Sequence, residues 1–448
     1  MAMDGQKLLQ LLHFYNPWWL AGRAPESLAL PYRRPVLERL ESYLELDRAV
    51  IIKGPRRVGK STLLYQMIGD LLDSGKAQPK DILYISFDDV EMRSELSDIL
   101  EAYRQATAVA ASGRTVYCFI DEVHFLPDWQ FQVKRYLDRK SPVKFILSGS
   151  SATLVKRGAE SLAGRTVEEL VLPFSFREYV GYSLGRSEPL SAALDRVRAN
   201  YDITELPDIT SLLPFKTELL VAFEQYLSRG GFPHLFQVQD EIIWRKLLRE
   251  DIVEKVIYRD LADLFQIKQP LLLEKIFLYL TGNTAGLLNI SNLSRSFGLS
   301  RATVETYIDY LRQSYLVFMC NKYSPSLEAR LRSAPKMHSI DCGLAHAFDV
   351  PEQGRIVESM IAAHLLPLSP LYWRDGSEVD IVLERDGGLL PVEVKYRKQA
   401  GDFKGIRKFA DLYGCHKAVV VTGDELRRIE AGDLFILLVP AWLLSLLL

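Results

Sequence analysis

The sequence predicts an α/β chain. It opens with a P-loop nucleotide-binding domain on a parallel sheet, continues through a helical segment and a helix-turn-helix module, and ends in a second α/β domain. Three observations carry this reading. The first is the spacing Gly54-x-x-x-x-Gly59-Lys60-Ser61, set between an apolar strand and a helical pattern. The second is the apolar run Val116-Tyr117-Cys118-Phe119-Ile120, which passes straight into Asp121-Glu122. The third is a late pair of apolar-alternating strands joined at Asp386-Gly387 and carrying Asp380, Glu393 and Lys395.

The bulk properties bound the possibilities. A chain of 448 residues that is 48% hydrophobic and 25% charged suits two to four domains. A net charge of −2 makes no global demand for nucleic acid or membrane, so any such contact must come from a local patch. Cys118, Cys320, Cys342 and Cys415 are scattered, which argues against a disulfide framework or zinc site and points to a reducing, cytoplasmic setting. Residues 7–20 are interrupted by Asn16-Pro17-Trp18-Trp19 and make a poor signal-peptide core. The tail from Leu434 to Leu448 is too short to span a bilayer and reads as a last strand and a short packed helix, so no membrane partner is expected. The expected divisions are a leader and helix over 1–47, the P-loop domain over 48–172, a helical lid or linker over 173–270, a winged helix over 271–335, and the second α/β domain over 336–448.

Within the first domain, Ala49-Val50-Ile51-Ile52 reads as a buried strand. Leu63, Leu64, Met67, Ile68, Leu71 and Leu72 recur at helical spacing after the glycine turn. Gly54 and Gly59 let successive N–H groups point inward around phosphate oxygens, and the helix N-terminus adds positive potential. Gly54, Pro55, Arg56, Arg57, Val58, Gly59, Lys60, Ser61 and Thr62 are therefore the expected ATP cradle. Lys60 would reach the β- and γ-phosphates and Ser61 would ligate Mg²⁺. The upstream aromatic run Phe14 to Trp19 suits either plain packing or a cover for the adenine ring.

Ile82 to Phe87 is the next strand, ending in Asp88-Asp89, and a helix is expected over 94–110. The strand Val116–Ile120 delivers two adjacent carboxylates to its C-terminal end, where open parallel sheets bind ligands. A cation removes the repulsion between them. Asp121 would hold Mg²⁺ through its water shell. Glu122 would orient and deprotonate the attacking water, which argues for hydrolysis and not binding alone. Lys144 to Leu147 is a further strand, and Ser148 at its end is the candidate γ-phosphate sensor. Arg165, just before the strand Val167–Leu172, is the candidate arginine finger, acting in cis or on a neighbouring subunit of a homo-oligomer, with Arg157 as the fallback.

These motifs resemble the prokaryotic AAA-type ATPases that pair a P-loop domain with a C-terminal domain of unknown function. The residues that carry the likeness are Gly-Pro-Arg-Arg-Val-Gly-Lys-Ser-Thr (54–62), Phe-Ile-Asp-Glu (119–122), Leu-Ser-Gly-Ser-Ser (147–151), Leu-Ala-Gly-Arg (162–165) and Phe-Ser-Phe-Arg-Glu-Tyr (174–179). Gly-Gly-Phe-Pro (230–233), Asp-Cys-Gly-Leu (341–344) and Val-Glu-Val-Lys (392–395) extend it over nearly the whole chain. The resemblance implies a RecA/AAA-like core of five parallel strands, related to the STAND and helicase-like branch.

Residues 271–325 carry a helix-turn-helix pattern. Leu271 to Leu280 is a helix, Ile290 to Ser300 a short helix, glycine turn and serine cap, and Arg301 to Tyr310 a second helix. Leu316 to Tyr323 suits a wing strand. A DNA-reading second helix enters the major groove and usually carries a positive footprint. Here Arg301, Glu305, Asp309 and Arg312 sum to zero charge, so DNA contact and a packing or protein-binding role both stay open.

In the last domain, Asp-Gly between alternating strands is a hairpin signal. A turn at Asp386-Gly387 sets Asp380 opposite Glu393, and a slip to Gly387-Gly388 sets it opposite Lys395. Either register puts Asp380, Glu393 and Lys395 on one face, with Val379, Ile381, Val392 and Val394 on the other. Like charges directly opposite are unfavourable unless a divalent ion lies between them. Asp380 and Glu393 are therefore expected to ligate Mg²⁺ or Mn²⁺, with Lys395 positioning water or stabilising a phosphate. The set resembles the restriction-endonuclease-like superfamily and its Asp…Glu-x-Lys pattern. Glu358, on the helical stretch 354–365, would be that family's extra acid, and Val379 stands where the family usually has proline. Lys395, Arg397, Lys398, Lys404, Arg407 and Lys408 face a single acid, Asp402, and this patch suits a DNA backbone.

The expected function is an ATP-hydrolysing AAA-type ATPase acting on DNA, with a nuclease-like C-terminal domain. The alternative is a STAND-like nucleotide switch or scaffold that binds a protein partner, its C-terminal domain inactive.

Overall fold

A computed structural model of the chain describes residues 5–107, 113–150, 162–185, 188–198, 201–348, 351–385, 387–396 and 403–448. Arg157, Asp386, Arg397, Lys398 and Asp402 lie outside the described residues. The chain divides into two compact units, Met1–Leu172 and Pro173–Leu448. The stretches 173–270, 271–335 and 336–448 lie in the second unit.

The first unit is built on five strands: β1 (Ala49–Gly54), β2 (Ile82–Ser86), β3 (Val116–Asp121), β4 (Val143–Ser150) and β5 (Thr166–Leu170). They pair in parallel in the order β2-β3-β4-β1-β5. Their runs are apolar because helices cover a parallel sheet on both faces. Val50, Ile52, Ile82, Leu83, Phe119, Ile120, Ile146 and Leu147 are fully buried. All five strands run the same way, so Gly54, Asp121 and Ser148 arrive together at the C-terminal edge of the sheet. β4 lies between β1 and β3, and this order puts Ser148 beside Asp121.

The aromatic run at 14–19 protects a sheet edge. β2 is an edge strand, and an edge leaves backbone groups unpaired. Asn16 fills that role with its side-chain amide: its nitrogen donates to the Tyr84 carbonyl at 2.9 Å, and its oxygen accepts from the Tyr84 N–H at 2.6 Å. The indoles of Trp18 and Trp19 both donate to the Ile82 carbonyl, at 3.3 and 2.8 Å. Of the two roles open for this run, packing is the one its contacts describe.

The second unit is helical from Phe176 to Gly282, including a π-helical stretch over Arg249–Leu261. Among the described residues nine strands follow: β6 (Gly286–Leu287), β7 (Val317–Lys322), β8 (Lys336–Ser339), β9 (Leu371–Arg374), β10 (Glu378–Arg385), β11 (Gly388–Lys395), β12 (Lys417–Thr422), β13 (Arg427–Ala431) and β14 (Leu434–Pro440). They form one mixed sheet in the order β13-β14-β12-β11-β10-β9-β7-β8-β6. β7 pairs with β9 in parallel, so the strand expected as a wing is continuous with the hairpin sheet. The helices Ile290–Phe297 and Arg301–Gln313 are joined through Gly298 in the left-handed conformation, and Ser300 caps the second by accepting from the Thr303 N–H. The tail is β14 followed by the buried helix Ala441–Leu447. Among the described residues no helix is long and apolar enough to cross a membrane.

Two of the sequence motifs in this unit interlock. Asp341 is buried and accepts from the Gly231 N–H at 2.7 Å and the Gly343 N–H at 2.9 Å. The Gly-Gly-Phe-Pro turn is thereby tied to the Asp-Cys-Gly-Leu segment. A Cβ on Gly230 would lie 1.9 Å from the Asp341 carboxylate, so only glycine fits there.

The β10–β11 hairpin pairs Arg385 with Gly388 and Ile381 with Val392, the first of the two expected registers. Strict alternation does not hold along β10. A β-bulge against β9 between Val379 and Val382 shifts the pattern, and both valines reach the same hydrophobic cluster, with Trp373, Ile406 and Phe409.

Candidate nucleotide site and a second charged centre

The P-loop bends as the glycine spacing predicts. Gly59 has φ +94 at the start of the helix Lys60–Asp73, and a Cβ on Gly54 would lie 2.0 Å from the Val171 carbonyl oxygen. Lys60 is buried, and its ammonium donates to the carbonyls of Gly54 (3.1 Å) and Pro55 (2.8 Å). A second brace comes from Arg34, which is buried and donates to the carbonyls of Val58 at 2.9 Å and Leu172 at 3.0 Å. Arg34 thus ties the loop to the strand that flanks it. Nothing in Tyr-Arg-Arg-Pro (32–35) marks Arg34 as a loop brace, because its two partners lie far along the chain.

Asp121 is the hub of the site. It is 4% exposed, and its Oδ2 accepts from Ser61 Oγ at 2.6 Å and from the Tyr84 hydroxyl at 3.0 Å. Its Oδ1 accepts from Ser148 Oγ and from the Glu122 N–H at 3.1 Å. Four donors on one carboxylate hold it in place. Burial, then the Asp121 charge, push the Tyr84 phenol far above its usual value, so Tyr84 keeps its proton and serves as a hydrogen-bond donor. Tyr84 and Ser86 are the two hydroxyls of an otherwise apolar strand, a weak cue in the sequence.

Glu122 sits at φ +50, an uncommon position for a residue with a side chain. Its carboxylate lies 3.2 Å from His124 Nδ1. The backbone turn sets it at the strand end beside Asp121, with the imidazole next to its carboxylate. Lys60, Ser61, Asp121, Glu122 and Ser148 are therefore brought together. Arg165 is not with them: it precedes β5, and its carbonyl accepts from the Ala49 N–H. Ala49 starts β1 and Gly54 ends it, so roughly 16 Å of strand separates Arg165 from the P-loop. Its guanidinium pairs with Asp138 at 2.6 Å. A parallel pairing places the start of β5 at the wrong end of the sheet for a finger in cis.

In the second unit the expected metal residues have other partners. Lys336, 2% exposed on β8, directs its ammonium at Glu358 (2.8 Å), Glu378 (2.5 Å) and Asp380 (3.3 Å). The other Asp380 oxygen accepts from the Val394 N–H at 2.9 Å, and Glu393 pairs with Lys395. Burial works to neutralise Lys336, but the charges of Glu358, Asp380 and Glu378 outweigh it and hold the ammonium above its ordinary value. Burial, helped by the Asp380 charge, works to raise Glu358, and the Lys336 ammonium beside it works the other way. Among the described residues no group of three His, Cys, Asp or Glu is arranged to hold a metal ion. Asp380 and Glu393 each answer to an ammonium of the chain, so the set does not fit the Mg²⁺ or Mn²⁺ pair expected of it. Lys336 and Glu378 were not singled out from sequence. Their signal was a lysine in a short strand, Lys-Met-His-Ser, that the fold buries throughout.

The basic patch is also partly spoken for. Lys408 donates to Asp375 and lies 5.7 Å from the Trp373 ring, and Lys395 is on Glu393, while Lys404 and Arg407 are exposed.

Residues 46–180 match the family described as an AAA domain. Residues 220–353 and 353–443 match two domains of unknown function, DUF8612 and DUF4143. An uncharacterized protein of Haemophilus influenzae is 24% identical over 438 residues, covering 94% of this chain and 100% of its own. An uncharacterized protein of Methanocaldococcus jannaschii is 27% identical over 348 residues, covering 76% of this chain and 71% of its own. Among solved structures, C. elegans PCH-2 is 16% identical, covering 41% of this chain and 52% of its own, with a TM-score of 0.26.

Proposed function

With an AAA-type P-loop domain as the premise, we propose that the first unit binds ATP with Mg²⁺ and hydrolyses it, and that the second unit passes the nucleotide state to a macromolecular partner without cutting it. The single observation that carries the first part is the convergence of Ser61, Ser148 and Glu122 on Asp121 at the P-loop mouth.

The donor set fits both ligands. Loop N–H groups and the helix N-terminus suit phosphate oxygens. Lys60 exchanges its loop carbonyls for the β- and γ-phosphates. Ser61 and Asp121 would hold Mg²⁺, which when bound neutralises charge on the phosphates. Glu122 takes the proton of the water that attacks the γ-phosphorus, and ADP is the leaving group. Ser148, beside Asp121, contacts the γ-phosphate. Arg165, at the far edge of the sheet, serves as a finger only toward a neighbouring subunit.

For the second unit, the switch reading is supported by the ammonium ion within the carboxylate cluster. The helices Ile290–Phe297 and Arg301–Gln313, read as a winged helix, are the proposed partner-binding module. The nuclease reading keeps one point in its favour, the register of Ile381 with Val392, next to which Asp380 and Glu393 follow on their strands.

Phosphate release from ATP in Mg²⁺ tests the first part. Turnover lost in Lys60→Ala is the expected result, and a wild-type protein that binds ATP with no turnover opposes it. A panel of single-stranded, duplex and branched DNA with Mg²⁺ or Mn²⁺ tests the second. Cleavage that Asp380→Ala abolishes would establish the nuclease.

A further inference from the structure

Lys336 is among the largest fully enclosed side chains in the protein. A buried ammonium persists only where charges and acceptors compensate for the lost water. Here three carboxylates, from a helix and from β10, supply them: Glu358, Glu378 and Asp380. The chain has aimed three acids from two elements at one point and put its own cation there.

A lysine ammonium brings three N–H donors, one for each acid. A divalent ion at the same point would draw on the same oxygens, and the two cations exclude one another by charge and by space. The remaining Asp380 oxygen accepts a backbone N–H, which a metal-bound carboxylate oxygen would have to surrender. Glu393 carries a separate ammonium, from Lys395.

We infer that the Lys336 ammonium stands where a divalent metal would otherwise lie between Glu358 and Asp380, so that this centre is assembled and held by a cation built into the chain. The inference deepens the non-cleaving reading of the second unit and rests on it. A second statement follows: without the Lys336 amine, the three acids, which are not arranged around a metal as they stand, would close on a divalent cation.

Mn²⁺ bound to the metal-stripped, nucleotide-free full chain, counted by electron paramagnetic resonance, tests both statements. Wild type and Asp380→Asn should bind equal numbers of Mn²⁺. Lys336→Met should bind one more per chain, and Lys336→Met with Asp380→Asn should lose it again. One more Mn²⁺ in wild type than in Asp380→Asn overturns the inference, and that comparison needs no Lys336 variant to fold. A folded Lys336→Met protein with no extra Mn²⁺ also overturns it, since the amine would then not occupy a metal position. DNA cleavage by a wild type that binds no Mn²⁺ at Asp380 would sink the non-cleaving reading and leave the built-in cation standing.

Discussion

Ser61 Oγ lies 2.6 Å from Asp121 Oδ2, so the P-loop hydroxyl and the carboxylate at the end of β3 are joined directly. These two groups are the ones that would hold Mg²⁺.

Ser61→Ala should therefore weaken ATP binding mainly in the presence of Mg²⁺. The Mg²⁺-dependent gain in affinity should fall about tenfold, roughly 1.4 kcal/mol, while binding in EDTA changes little. Equilibrium titration with a fluorescent ATP analogue in both buffers checks this. An equal loss in both would mean that Ser61 serves the loop and not the metal.

This part of the molecule was legible because each residue sits on a local pattern. The P-loop spacing, the apolar strand before Asp121 and the apolar strand before Ser148 are all contiguous in sequence. Arg34 and Lys336 were not legible, for one reason. Each is a single cation whose partners come from distant segments: Val58 and Leu172 for the first, Glu358, Glu378 and Asp380 for the second. The hairpin takes one of the two registers that the sequence left open, but its charge pairing was hidden, because the cation that Glu378 and Asp380 meet arrives from β8. The β10 bulge was hidden too, since nothing in Val379 to Val382 announces an irregular partner strand.

Arg34→Ala should loosen the P-loop. It removes two buried hydrogen bonds from a charged donor and leaves two carbonyls unpaired, a loss of about 2–4 kcal/mol of stability in the first unit. ATP affinity should fall with it. Arg34→Lys should recover only part, because one ammonium on a shorter reach does not span both carbonyls as the guanidinium fork does. Thermal melts and ATP titrations of the three proteins decide it. A full recovery by lysine would reduce Arg34 to a mere charge.

Gly230→Ala should destabilise the second unit by more than about 2 kcal/mol, since the methyl group would collide with the Asp341 carboxylate at a backbone φ of +75. Gly22→Ala makes the fair control: its φ is +74, and a Cβ there meets nothing within 4 Å. Melting temperatures of the two variants should differ clearly. Equal losses would show that φ alone, and not the Asp341 clamp, sets the cost.

His338 gives a pH dependence of defined sign. It is enclosed, donates to or accepts from Ser359 at 3.0 Å, and is held neutral down to about 3, first by burial and then by the Lys336 charge. The unfolded imidazole titrates near 6.5. The unfolded chain therefore takes up a proton that the folded one refuses, and the His338 contribution, complete above 6.5, is lost as pH falls from 6.5 toward 3. At pH 5 the loss is about 2 kcal/mol. Asp341 and Glu358, whose raised values act with the opposite sign, are common to wild type and His338→Asn and cancel in the difference. Denaturant unfolding at pH 7.5 and pH 5 should show the gap between the two proteins narrowing by that amount. A gap that stays constant would mean that the folded imidazole protonates normally.

The most direct measurement is steady-state phosphate release by Glu122→Gln, run beside its ATP affinity. Glutamine keeps the size and the backbone turn of Glu122 but accepts no proton. ATP should bind within a few-fold of wild type while turnover falls at least about 100-fold, the share that a positioned general base contributes. Turnover near the wild-type rate would contradict Glu122 as the base and, with it, the reading of the β3 end as a hydrolytic site.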